Sequence, residues 1–190
     1  MNRRLAKAGA LMAMVALVTA AVTGCSFPST ILADYPSYSD VESLFESATL
    51  VVEGDVGESR VDVLYPSYEG DDPAFNPLAG TDTRPDPKAG AVPITVFEVR
   101  ITKVHSGDAK PGDLIEVQQL GGSLDGVEYS AEGTASLAKG SAPLLFLETY
   151  DDAPAAILGG DAGLLEATGD EFVSAGDPNL VISLGELERR

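Results

Sequence analysis

One histidine and one cysteine stand in 190 residues, and this scarcity limits the chemistry more than any motif enlarges it. His105 by itself cannot assemble a two-histidine metal site or a histidine-based acid–base pair. No serine sits in a nucleophile-elbow pattern, so His105 is expected to be a surface turn residue of His105-Ser106-Gly107-Asp108. Carboxylates are abundant: Asp71-Asp72, Asp82, Asp86, Asp151-Asp152, Asp161 and Asp170-Glu171 could offer oxygen ligands to Ca²⁺. None falls into the D-x-[DN]-x-[DN]-G loop closed by a glutamate, so they read as solvated loop acids, and neither a metal nor a cofactor is expected. A carboxylate pair could also serve glycoside hydrolysis, but acids this dense place some pair at a suitable separation by chance. Gly121-Gly122-Ser123 and Gly159-Gly160-Asp161 lead into no periodic helix and carry no P-loop lysine, which makes them turns. Tyr35, Tyr38, Tyr65, Tyr68, Tyr129 and Tyr150 offer stacking faces, yet most are expected to pack or to sit in loops. No catalytic residue is assigned, and the chain is expected not to be an enzyme.

Cys25 has a different standing because of its neighbours. Arg3-Arg4 and Lys7 precede an apolar run from Ala8 to Val22, and the chain then reads Val22-Thr23-Gly24-Cys25. An uncleaved transmembrane helix would need about 20 apolar residues, more than the run supplies. The order of a basic region, a short apolar region and small residues is that of an export signal, and Val22-Thr23-Gly24-Cys25 resembles the lipobox of bacterial lipoproteins. The resemblance implies that Val22, Thr23 and Gly24 are read by a type II signal peptidase, which cuts before Cys25. It further implies a diacylglycerol thioether on the Cys25 sulfur. Each buried CH₂ contributes about 0.8 kcal/mol, so two acyl chains hold where a single one exchanges. A plain secretory signal is the alternative. Residues 1–24 are thus expected to be a signal peptide, 25–38 a lipidated tether rich in Ser, Pro and Tyr, and 39–190 a single domain. The expected location is the extracytoplasmic face of the cell membrane, or an outer membrane where there is one.

The net charge is −18, and the segment before Cys25 carries basic residues and no acid, so the remaining chain is more negative still. Such a field repels phosphates and anionic headgroups, which argues against nucleic acid and against charge-driven membrane binding. With Cys25 lipidated no thiol remains for a disulfide, and stability must come from packing, which a domain of this length can supply.

The elements follow from periodicity. Ser39 and Glu42 have capping-box spacing, and Val41, Leu44, Phe45 and Ala48 share a helical face, predicting a short helix over 40–48. Thr49 to Val56 is a β-type run that Val61 to Leu64 continues after a Gly57-Glu58 break, with a bulge or bend at Gly54. A polar stretch punctuated by six prolines from Pro66 to Pro93 follows, and a disordered loop is expected over 66–92. From Ile94 to Val104 residues alternate, with Thr95, Phe97, Val99 and Ile101 on one face and Glu98, Arg100 and Thr102 on a wet one. Leu114 to Leu120 returns as a second strand that Gly121-Gly122 ends, the apolar run Pro143–Leu147 is typical of a buried strand, and Val127–Tyr129, Ala156–Leu158, Gly163–Ala167 and Glu171–Val173 supply short strands. Ser183 and Glu186 repeat the capping spacing before a last helical turn over 184–189. Many short strands with helices only at the ends predict a mainly β fold: a small closed or partly open, OB-like β-barrel, with a β-sandwich as the alternative.

Glu46 to Val56, Phe97-Glu98-Val99 with Val104 to Gly107, Lys110 to Val117, and Gly140 with Leu144 to Leu147 follow one another in an order that resembles bacterial exported β-barrel proteins of unknown function. Ser106-Gly107 stands where the pattern has Lys-Gly. The architecture is also similar to the OB-like barrel of netrin and metalloproteinase-inhibitor domains, which implies protein binding. Those domains use disulfides and a free N-terminal cysteine, which this chain does not offer. The functional expectation is a lipid-anchored, non-catalytic binding or interaction module of the bacterial cell envelope. Its partners would be the membrane, through Cys25, and an envelope protein or peptide. A small-ligand carrier or envelope accessory protein is the alternative, and an unrecognised hydrolase a third.

Overall fold

The computed structural model describes residues 29–65, 78–81, 86, 90–132 and 134–189. Its centre is a meander of three long strands, β2 (Leu50–Leu64), β3 (Val92–Ser106) and β4 (Leu114–Leu124), all antiparallel. Two short strands close it. β6 (Leu144–Glu148) pairs with β2, and β7 (Ala155–Ile157) joins β6 antiparallel to β4 parallel, so the path β2-β3-β4-β7-β6 returns to β2. A ring of this kind buries its inner face and covers its edges, the solution the OB-like barrel uses. Val52, Val56, Phe97, Val99, Ile101, Val117, Leu145 and Leu147 fill it.

The sheet extends past the ring on both sides. Beyond β4, a turn at Asp125-Gly126 with φ of 51° and 79° leads into β5 (Val127–Ala131), the geometry of a two-residue type I′ hairpin. β1 (Ser29–Ile31) adds to β5 in parallel. Beyond β6 lie β8 (Leu164–Thr168), β9 (Glu171–Ser174) and β10 (Val181–Ser183). This wing encloses a second core with α1 (Val41–Ser47) and α2 (Leu184–Leu187).

The run Leu144-Leu145-Phe146-Leu147 explains how one strand serves two cores. Successive side chains leave a strand on opposite faces. Leu145 and Leu147 enter the barrel core, whereas Leu144 and Phe146 enter the second core, where the Phe45 ring meets Phe146 edge-on at 4.8 Å and 84°. β2 divides in the same way, Leu50 and Val52 inward and Val51 outward, as does β8 with Leu164 and Leu165. A continuous apolar run is what a strand buried on both faces requires.

Several expectations are corrected in detail. The cap of α1 is Asp40, not Ser39: Asp40 Oδ1 accepts from the Ser43 amide at 2.8 Å, and the Asp40 amide donates to Ser43 Oγ at 3.4 Å. Because the helix starts at Val41, Asp40 is the residue whose side chain stands three positions before the orphan amide of Ser43. β2 does not break at Gly57-Glu58; it absorbs them in a register shift between Val56 and Ser59, with further shifts at Val51/Val52 and Glu53/Gly54. Nor does β4 end at Gly121-Gly122, which continue it at φ of 107° and 135°, where a Cβ on Gly122 would lie 2.8 Å from Thr95 Oγ1. The stretch read as tether contributes β1, and Tyr38 within it packs on the second core. The capping of α2 by Ser183, which accepts from the Glu186 amide at 3.2 Å, is as predicted. Of the loop expected at 66–92, residues 66–77, 82–85 and 87–89 lie outside the described ones. Among the described residues no helix is long and apolar enough to cross a membrane.

Candidate ligand-binding cleft

The wet face expected for β3 is wet at one end only. Glu98, Arg100 and Thr102 are exposed, but further along the same face Ile94 and Val96 are 4% and 1% exposed. Arg60 of β2 marks the boundary, donating to both carboxylate oxygens of Glu116 of β4 at 2.6 and 2.8 Å. Because Arg60 pairs with Val96 and Glu116 with Glu98, the bridge crosses over β3 between those two residues. The hydrogen bonds hold the Arg60 guanidinium above its ordinary range and the Glu116 carboxyl below its own.

Past that bridge the sheet forms a cleft of about 200 Å³, walled by Leu64, Ile94, Leu120, Ala156, Ile157 and Gly160 and bordered by Tyr35 and Thr134. Two adjacent glutamines of β4 divide the polar work. Gln119 shares the face of Val117, which enters the barrel core; its Nε2 donates to the Ala135 carbonyl at 2.8 Å and its Oε1 accepts from the Leu137 amide at 2.8 Å. That clamp holds residues 134–137 against the barrel, with Leu137 4% exposed in its core. Gln118 faces the opposite way, between Val96 of β3 and Ala156 of β7. Its Oε1 is buried and has no hydrogen-bond partner among the described residues. Tyr35 is half-buried, and burial, then the negative charge of Asp161, push its phenol above the ordinary tyrosine range, so the hydroxyl keeps its proton. The cleft therefore presents apolar walls and a neutral phenol, and its lining residue Gln118 carries just beneath that surface a carbonyl oxygen unpaired among the described residues. A second hollow of about 220 Å³, bordered by Thr95, Phe97, Gly122 and Tyr129, shares Gln119, Leu120 and Thr134 with it.

Val22, Thr23, Gly24 and Cys25 lie outside the described residues. The first described residue, Ser29, is already in the sheet, four residues beyond Cys25, a separation that the chain spans at most to about 14 Å when fully extended. His105 is no surface turn residue: it lies in β3, its side chain is 3% exposed, and its Nε2 is 2.8 Å from Glu53 Oε1. A buried imidazole needs a polar partner, and the neighbouring strand supplies one. The pair sits at the far end of β3 from the cleft. Gly159-Gly160 form a turn as expected, and Asp151-Asp152 are exposed. Asp71, Asp72 and Asp82 lie outside the described residues, among which no group of three or more His, Cys, Asp or Glu side chains is gathered as a metal would require. Sequence reasoning passed over Gln118 and placed Tyr35 only among six possible stacking faces, within the stretch read as tether. The available signal was the Gln118-Gln119 doublet, since two successive polar residues in an alternating strand place one of them on each face. Compared with known proteins, the chain matches no family model, no curated protein and no solved structure.

Proposed function

We propose that this chain is a lipid-anchored, non-catalytic binding module of the bacterial cell envelope, held by acyl chains on Cys25 at the extracytoplasmic face. The observation that carries the reading is the course of the N-terminal segment. A chain that has barely left Cys25 is already paired into the sheet at Ser29–Ile31 and then contributes Tyr35 to the border of the cleft. An anchor on Cys25 would therefore hold the cleft close to the lipid surface. Binding, not bond-breaking, suits walls made of aliphatic side chains with a phenol and an amide oxygen. The cleft favours the small-ligand branch of this reading over a flat protein-binding face.

Metabolic labelling with a clickable palmitate tests the anchor. The chain should take up label in cells, and Cys25→Ser should abolish the label and move the protein from the pelleted envelope to the soluble fraction. An unlabelled wild-type chain, or a Cys25→Ser variant that stays in the pellet, overturns the anchor. Crosslinking in intact cells tests the partner branch, which gains support if one envelope protein is captured by wild type and lost with Cys25→Ser.

A further inference from the structure

We propose that the cleft bordered by Tyr35 and Gln118 binds a compact apolar molecule that ends in a hydrogen-bond donor, an alcohol or an ammonium group, and rejects the corresponding anion. The proposal rests on the binding-module reading and gives its ligand a chemistry.

Three observations set that chemistry. The volume of about 200 Å³ is below that of clefts that hold drug-sized molecules, so the body of the ligand is short. The walls supplied by Leu64, Ile94, Leu120 and Ile157 reward an aliphatic or aryl body by removing apolar surface from water. Gln118 lines the cleft and its Oε1 is a buried acceptor with no partner among the described residues; leaving such an atom unpaired is costly, so a ligand donor that draws the amide round toward the cleft gains what an alkane cannot. Its neighbour shows by contrast what a satisfied glutamine looks like: Gln119 uses both ends of its amide on residues 135 and 137. Charge then decides between ligands of one shape. Asp161 lies close enough to act on the Tyr35 phenol, and the whole chain carries −18, so an anion enters against both a local and a global negative field.

The test uses the full-length protein purified from envelopes and placed in lipid nanodiscs, with ¹³C-labelled isoleucine δ1 methyls. Ile94 borders the cleft and belongs to neither core, Ile157 borders it from the barrel core, and Ile101 and Ile182 report on the two cores away from it. Hexan-1-ol, hexylammonium and hexanoate are titrated separately. The expected result is a saturable shift at Ile94 and Ile157 with the alcohol and the ammonium, and affinity for hexanoate at least about tenfold weaker. Gln118→Leu should weaken the alcohol by about fivefold to tenfold, the worth of one hydrogen bond, with Ile101 and Ile182 unmoved. Ala156→Leu, which fills the cleft from β7, should abolish all binding and keeps the test open should Gln118→Leu fail to fold. Silence at Ile94 and Ile157 with every probe, hexanoate binding as tightly as hexanol, or unchanged affinity in both variants overturns the proposal. Silent methyls with a specifically captured envelope partner would remove this ligand and leave the module standing, whereas an unlabelled Cys25 removes the anchor and leaves the cleft readable.

Discussion

Two side chains that differ by one position, Gln118 and Gln119, do opposite things because a strand sends neighbours to opposite faces. Gln119 is a clamp. Replacing it with alanine strands the Ala135 carbonyl and the Leu137 amide, and we expect a loss of about 1–3 kcal/mol in urea unfolding, with the 134–137 amides exchanging faster. The Arg60–Glu116 bridge predicts a pH effect. Its carboxyl is held below the ordinary value of 4.5, so its contribution is complete above that value and is lost as the pH falls through the lowered one. Both side chains are about half exposed, and solvent screening keeps the effect to about 0.5 kcal/mol. Glu116→Gln should flatten that part of the acid limb, as read by thermal unfolding between about pH 5 and pH 3. Tyr35 predicts the alkaline side. With its folded value raised above 10.0, the contribution of Tyr35 is constant below pH 10 and turns destabilising as the pH climbs toward the raised value, a fall in stability that Tyr35→Phe should reduce.

At the scale of elements, β6 is the part on which both cores depend. Phe146 is fully buried and holds the Phe45 ring of α1, so Phe146→Ala should cost about 3–5 kcal/mol and loosen α1 and α2 before the barrel. Protection of amides in α1 against those in β3 would show the order. The turn after β3 is equally specific. Gly107 has φ of 98°, and a Cβ there would lie 2.5 Å from the Thr49 carbonyl oxygen and 3.0 Å from Leu50 Cα. Gly107→Ala therefore combines left-handed strain with a backbone clash, and a loss of more than about 1 kcal/mol is expected in chemical denaturation. The closeness of Thr49 and Gly107 also keeps the start of β2 beside the end of β3, where Glu53 meets His105.

The whole molecule is a strongly acidic body whose described N-terminal edge is a sheet strand. Self-repulsion at a net charge of −18 opposes the compact state and is screened by salt. Raising ionic strength from about 0.01 to 0.15 M, which shortens the screening length from about 30 to 8 Å, should raise the melting temperature, and no change would assign the acids to well-separated, individually solvated positions. Anchoring through Cys25, if labelling bears it out, leaves at most about 14 Å of chain before β1, so the barrel would ride on the lipid surface with little freedom to swing away.

Local pattern was enough for the mainly β class, the long alternating strand, a buried strand within Pro143–Leu147 and the Ser183 cap, because each depends on residues a few positions apart and on the period of a strand or helix. Ring closure through β7, the division of β2, β6 and β8 between two cores, the partner of His105 and the Gln118 oxygen left unpaired among the described residues were decided by tertiary structure alone. Each is a meeting of residues far apart in the chain. Spacing shows which way a side chain leaves its own strand; only the assembled sheet shows what stands opposite it, and burial turns that neighbour, or the lack of one, into a free energy.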